Sequence, residues 1–425
     1  MNLKIRNLFY FTLCLINIIN TNTILSMANF KRIARIFKKN TTQRVSFDNT
    51  LLGILPDELI LLIFQKGLIS VLNSCSTNIS QKEILVEVNQ YILLWRLFDK
   101  NFSNYKEDVI KMANKYIKDF ILKNKLLEIL ESDIEKDFKD KEEEIIELIK
   151  KGACVNQRDK YGNTPLIVLA MRGSEKSVKY LIENKADIND KDILGQTVLM
   201  WSISRNFQEV VSLLISYNVD INTQDIDGNT PLMVATYSGY MDIIKLLFKN
   251  KVNINHKNKH KESALIIAIS ENKEDIARIL IEHQDIEINI QDIEGNTPLI
   301  MAVLVGNINI AKRLLEINAL VNLKNFKNQT ALTIACQRGH ANLVNLLLEY
   351  NADINAQDEQ GYNALMIAII LKFNDIAKQL ILSRANLSLE DNDGNTARDL
   401  ASIYENNEIV ELIDARIKSC FCLLY

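Results

Sequence analysis

Histidine, tryptophan and proline are scarce in this chain, with four, two and four residues among 425, and the shortage of histidine alone narrows the chemistry. His256, His260, His283 and His340 are too scattered to pair with a thiol or carboxylate for nucleophilic or acid–base work. The spacing of His256 and His260 would suit a metal, but their lysine-rich stretch reads better as plain surface, so neither metal nor cofactor is expected. The phosphate-cradling G-x-x-x-x-G-K-S/T loop and the G-x-S-x-G nucleophile elbow are both missing. Adjacent acids such as Asp358 and Glu359 fall in a turn tip, where water solvates both and no cleft raises either for acid catalysis. No enzymatic function is expected. Six cysteines, Cys14, Cys75, Cys154, Cys336, Cys420 and Cys422, show no C-x-x-C spacing and suggest neither a disulfide framework nor a zinc site. A formal charge of −3 supplies no global basic field, so nucleic-acid binding is not favoured.

What the chain does have is length and an ordinary balance of residues: 48% hydrophobic and 24% charged, enough for two or more folded units. Lysine, asparagine and isoleucine are frequent, a bias typical of AT-rich coding genomes such as those of many host-dependent bacteria. The dominant feature is a period. One leucine slot falls at Leu166, Leu199, Leu232, Leu265, Leu299, Leu332 and Leu365, and Arg398 takes it in a final degenerate copy. Every step is thirty-three residues except one of thirty-four, where an extra residue lies within Gln284-Asp285-Ile286-Glu287.

The third copy shows the unit most clearly: Asp225-Ile226-Asp227-Gly228-Asn229-Thr230-Pro231-Leu232, then Ala235, Gly239, a segment containing Ile243, Leu246 and Leu247, and an exit on Asn253-Ile254-Asn255. Asp225 and Gly228 bracket a tight turn, Thr230 suits an N-cap and Pro231 the first helical position, where no N–H is required. Gly239 ends this short helix in the left-handed region, and Ile243, Leu246 and Leu247 mark the buried face of a second one. Helices of nine or ten residues do not persist alone, so stacking must supply the core.

The period and its T-P-L-x-x-A core resemble the ankyrin repeat. The resemblance implies an all-α repeat solenoid of helix-turn-helix units with β-hairpin tips, over residues 136–417. Its departures are mild: Val198, Ala264, Ala331, Ala364 and Ala397 replace the proline, while Asn218, Asn318 and Asn351 stand for the glycine after the second helix. Lys185, Lys251 and Arg384 are poorer substitutes for that glycine. The fourth turn, Asn258-Lys259-His260-Lys261, and the sixth, Asn325-Phe326-Lys327-Asn328, have lost both aspartate and glycine and are expected to be least regular. Lys141 to Gly152, with Ile145, Leu148 and Ile149 spaced as in a second helix, reads as an N-terminal capping half-repeat.

Residues 49–100 carry Leu55-Pro56-Asp57-Glu58-Leu59-Ile60-Leu61-Leu62-Ile63-Phe64 and, downstream, Leu94-Trp95-Arg96-Leu97. This resembles the opening and closing of an F-box, a small helical bundle that docks on the Skp-type adaptor of cullin ubiquitin ligases, and implies adaptor contact by Leu55, Pro56 and Leu59. A plain amphipathic helix start is the competing reading. Residues 101–135 are a charged helical connector.

The start, with Lys4 and Arg6 before an apolar stretch from Leu8 to Ile19 and small residues at Ser26-Met27-Ala28, reads as a signal peptide over residues 1–28. An uncleaved anchor competes, but the stretch falls short of the roughly 20 apolar residues a span needs, and no other segment is long enough. Residues 29–48 read as a basic linker, or as a helix lying on an anionic surface. In the tail, 418–425, Cys422-Leu423-Leu424-Tyr425 has a C-a-a-X shape but ends on a residue outside the favoured set.

The ankyrin resemblance places recognition on a concave face, at the two residues between turn aspartate and glycine and those after the first-helix alanine. Those slots hold Ile193, Leu194, Ile226, Ile293 and Phe326, then Tyr237, Leu304, Val305, Ile370 and Leu371, an apolar set at places where polar residues are usual. The expected function is a non-enzymatic, monomeric protein-binding scaffold, similar to exported eukaryotic-like bacterial effectors and recruiting a host ubiquitin ligase. A periplasmic or structural interaction protein without a ubiquitin link is the alternative.

Overall fold

The computed structural model describes residues 102–131 and 138–422, all of whose regular elements are helices. Leu55, Pro56 and Leu59, the signal segment and Leu423–Tyr425 lie outside the described residues. The chain divides into two units, residues 1–160 and 161–425. In the first, a long helix α1 (Phe102–Glu131) packs on α2 (Phe138–Lys150). Leu122, Leu126, Ile129 and Leu130 of α1 and Ile145, Leu148 and Ile149 of α2 are buried, and Lys125 pairs with Glu144 at 2.8 Å.

The second unit is built of helix pairs, one pair per repeat. Repeats one to four contribute α3 (Pro165–Ala170) and α4 (Glu175–Glu183), α5 (Val198–Ser204) and α6 (Gln208–Ser216), α7 (Pro231–Ser238) and α8 (Met241–Phe248), and α9 (Ala264–Ser270) and α10 (Glu274–Ile281). Repeats five to eight contribute α11 (Pro298–Leu304) and α12 (Ile308–Glu316), α13 (Ala331–Arg338) and α14 (Ala341–Glu349), α15 (Ala364–Ile370) and α16 (Asn374–Leu382), and α17 (Ala397–Ile403) and α18 (Asn407–Cys422).

Each first helix starts as its residues dictate. Thr230 accepts from the backbone N–H of Met233 at 3.3 Å, and Thr164, Thr197, Ser263, Thr297, Thr330, Asn363 and Thr396 cap their helices in the same way. First helices stack on first helices and second on second, so the core is a row of fully buried Leu199, Leu232, Leu265, Leu299, Leu332 and Leu365. In α8 the buried trio is Ile243, Ile244 and Leu247, Leu247 lying four residues from Ile243 and three from Ile244 on the inward face; Leu246, expected inside, is half-buried at its edge.

Left-handed backbone follows the exit of most second helices, at Lys185, Asn218, Lys251, Asn318, Asn351 and Arg384, with φ of 53–68°. Repeat four has no such residue after α10; its additional residue, at Gln284 to Glu287, forms a short turn in which the Ile286 N–H donates to His283 O. The thirty-four-residue step is thus absorbed in a loop, leaving the stacking register intact.

Candidate protein-binding surface

The turns before the first helices form one continuous surface feature. In repeat three the Asp225 N–H donates to Asn229 O and the Gly228 N–H to Asp225 O, while Asp225 Oδ1 accepts from the N–H groups of Asp227 (2.9 Å) and Asn229 (2.8 Å). Each tip then donates one backbone N–H to the tip before it: Ile193 to Tyr161 O, Ile226 to Leu194 O, Lys259 to Asp227 O, Ile293 to His260 O, Phe326 to Glu294 O, Glu359 to Lys327 O and Asn392 to Gln360 O, at 2.8–3.3 Å. A main-chain ladder therefore fixes neighbouring tips in register, although only two isolated β-bridges, Lys191 with Thr197 and Glu390 with Thr396, occur among the described residues.

That ladder explains the glycines. A Cβ at Gly195 would lie 2.8 Å from Ile226 N, and one at Gly295 would lie 2.7 Å from Phe326 N and 2.9 Å from its ring, in addition to the left-handed φ of 72° and 81°. The fourth and sixth tips, expected to be irregular, are not. Lys261 and Asn328 hold the left-handed position at φ of 57° and 56°, and Asn258 and Asn325 supply the same Oδ1 acceptor as the aspartate, at 2.9–3.0 Å. The amide adds what a carboxylate cannot. Asn258 Nδ2 donates to Asn229 Oδ1 of the preceding repeat, and Asn325 Nδ2 to Asn296 Oδ1, both at 3.2 Å.

Two further ladders escaped sequence reasoning. The asparagine closing each exit accepts, through Oδ1, a backbone N–H of the next repeat: Asn189 from Asp220, Asn222 from Asn253, Asn255 from Glu287, Asn289 from Leu320, Asn322 from Asp353 and Asn355 from Asn386, at 2.7–3.0 Å. Before the tips, Lys191, Gln224, Gln291, Lys324 and Gln357 donate to the backbone carbonyl thirty-three residues on. Recurrence of asparagine and of long amine or amide side chains at one phase of the period was the available signal.

On this frame the ten apolar residues fall into two rows. Ile193 (62% exposed), Leu194, Ile226, Ile293 and Phe326 (60%) form the tip row; Tyr237 (63%), Val305 and Leu371 are exposed, and Leu304 and Ile370 half-buried, in a row at the C-terminal ends of the first helices. A helix of seven residues separates the rows by about 10 Å. In repeat six the two slots lie within side-chain reach of each other: Gln329, beside the tip, donates through Nε2 to Gln337 Oε1 at 3.3 Å, and Gln337 occupies the slot of Tyr237 and Leu304. Between the rows lie half-buried Trp201, Val234 and Met301, residues the sequence reading passed over although Val234 and Met301 precede Tyr237 and Leu304 by one helical step of three. The Trp201 indole N–H donates to Asp192 Oδ2 at 2.9 Å, which turns that ring toward the tips. Tyr161, Ile403 and Tyr404 extend the rows at either end.

The remaining polar features are structural. His340 lies over Gly306, where a Cβ would come within 3.2 Å of its ring. Burial pushes the Cys336 thiol far above its ordinary range, so it stays neutral. No group of three or more metal-ligating side chains occurs among the described residues.

A family model described as ankyrin repeats (3 copies) matches residues 138–192, 190–258, 250–325, 287–358 and 317–391. No curated protein matches the chain. The matched segments together cover more than half of the sequence, and the chain belongs to the ankyrin-repeat family.

Proposed function

We propose that the protein is a non-enzymatic scaffold that grips a partner protein across the tip row and the helix-end row. The family makes it a protein-interaction scaffold; the observation that locates the grip is the exposure of isoleucine, leucine, tyrosine and phenylalanine side chains at the same two slots of repeats two, three, five, six and seven. An exposed apolar patch of that extent marks an interaction site, and aromatic anchors dominate such interfaces. Tyr237→Ala with Phe326→Ala should weaken partner capture at least about tenfold, from roughly 2 kcal/mol or more at each anchor, with the circular dichroism spectrum unchanged. Undiminished binding would move the site elsewhere.

The finer reading is an exported effector that carries its target to a ubiquitin ligase. It is supported by the charged, apolar start of the chain with Ser26-Met27-Ala28 and by the Leu55-Pro56-Asp57-Glu58-Leu59 motif. Mass spectrometry should find the exported chain starting at Asn29, and an intact Met1 terminus would count against export by cleavage. Purified Skp-type adaptor should bind the protein at micromolar concentration and be lost on Leu55→Ala with Pro56→Ala. Without adaptor binding, the scaffold acts with no ubiquitin link.

A further inference from the structure

We propose that the fourth tip is a cationic saddle that selects a partner segment with acidic residues at its centre and apolar residues on both sides. The inference rests on the scaffold reading above and adds the chemistry of what is bound. Lys257, Lys259, His260 and Lys261 are all exposed. None of the three lysines has an ion pair among the described residues. The acids beside this tip keep their charges but are turned from its centre: Glu262 accepts from Asn258 Nδ2 at 2.9 Å at the base of the turn, and Glu294 accepts from Asn296 Nδ2 at 3.2 Å on the fifth tip. With Asp227 exposed on the third tip and Glu294 on the fifth, the three lysines form the central cations between one carboxylate on each neighbouring tip.

The main-chain ladder fixes what flanks the saddle. The Lys259 N–H donates to Asp227 O and the Ile293 N–H to His260 O, so the cations sit directly between the third tip, with Ile226, and the fifth, with Ile293. Phe326 follows on the sixth. Stacked helices lie about 8–10 Å apart, so Ile226 and Ile293, two repeats apart, are separated by about 16–20 Å, which an extended segment at about 3.3 Å per residue spans in about five or six residues. A partner that places apolar side chains on Ile226 and Ile293 therefore brings its intervening residues over Lys259 and Lys261. Apolar shoulders favour a protein over a nucleic-acid strand, whose phosphates would leave Ile226 and Ile293 bare and would meet a molecule of net charge −3.

The test uses the full chain and a fluorescein-labelled synthetic peptide with central glutamates between leucines, read by fluorescence anisotropy. That peptide should bind more tightly than its glutamine counterpart, and the difference should shrink as salt rises. Lys257→Glu, Lys259→Glu and Lys261→Glu together should weaken binding about tenfold, the sum of three exposed ion contacts. Glutamate is compatible with the left-handed backbone at 261, since Glu405 adopts φ 54°. A peptide with lysines in place of the glutamates should bind the reversed protein better than the native one, a gain that misfolding would not produce. Equal binding of the glutamate and glutamine peptides, no binding of the glutamate peptide, or its displacement by single-stranded DNA at lower concentration would each overturn the proposal. If Tyr237→Ala with Phe326→Ala abolishes peptide binding while charge reversal leaves it unchanged, the scaffold reading stands and the acidic selectivity falls.

Discussion

Asn325 occupies the turn position where repeats one, two, three, five, seven and eight have aspartate, and it is better suited to its place than aspartate would be. Its Oδ1 accepts from two backbone N–H groups while its Nδ2 donates to Asn296 Oδ1 and Gln329 Oε1. Asn296 is itself held by Asp292 Oδ2, so its amide is not free to flip and present a donor. Changing Asn325 to aspartate would set a buried carboxylate against an oxygen. Despite restoring the residue common in the other repeats, Asn325→Asp should cost about 1–2 kcal/mol, seen as a lowered urea midpoint with an unchanged slope. An equal or raised midpoint would show that the donor contributes nothing. The same logic applies to Asn258, whose amide reaches Asn229 and Glu262.

At the scale of the element, the eighth repeat relies on carboxylates more than its neighbours do. Arg398 makes two bonds to Asp414 of α18, at 2.7 and 3.0 Å, and Asp399 closes a capping box with Thr396. The Arg398 guanidinium holds Asp414 below the usual carboxylate range, and the Thr396 hydroxyl and N–H do the same for Asp399. Groups depressed on folding add stability that is complete above their unfolded values, near 4, and is lost as pH falls through the folded ones. Acidification below about pH 4 should therefore release α17 and α18 before the middle repeats, detected as earlier loss of amide protection there. Simultaneous loss everywhere would contradict this.

The helix pairs themselves were legible from the sequence because capping threonines, the proline at three first helices and the leucine slot all report local chemistry. The ladders were not. An exit asparagine looks like any turn former until its partner thirty-one residues on is placed beside it, and the regularity of the fourth and sixth tips depends on amides that act only between repeats. The apolar slots were legible as residues. Their division into two rows, joined by Trp201, Val234 and Met301, required the helix length between tip and end.

Across the whole second unit, every bond in the three ladders joins a repeat to its immediate neighbour, as in any stack whose stability sums unit and interface contributions. Weakening one central joint should then uncouple the two halves without unfolding either. Asn255 is suited to the experiment: Oδ1 accepts from Glu287 N–H, Nδ2 donates to Asp285 O at 2.7 Å, and both contacts cross from the third repeat exit to the fourth, where the array carries its extra residue. Asn255→Ala should convert a single denaturation transition into two or lower its apparent slope. A single transition of native slope at a reduced midpoint would mean that cooperativity passes this joint by other contacts.

The uniform joint also separates two kinds of change. Because the exit asparagine of one unit meets a plain backbone N–H of the next, any thirty-three-residue segment copied and reinserted in phase arrives with both of its couplings already made. Gripping surface can be lengthened by duplication and recoloured by substitution at tips, while the fastening stays constant. The molecule is in this respect an assembly of interchangeable parts, and what it recognises can diverge faster than how it holds together.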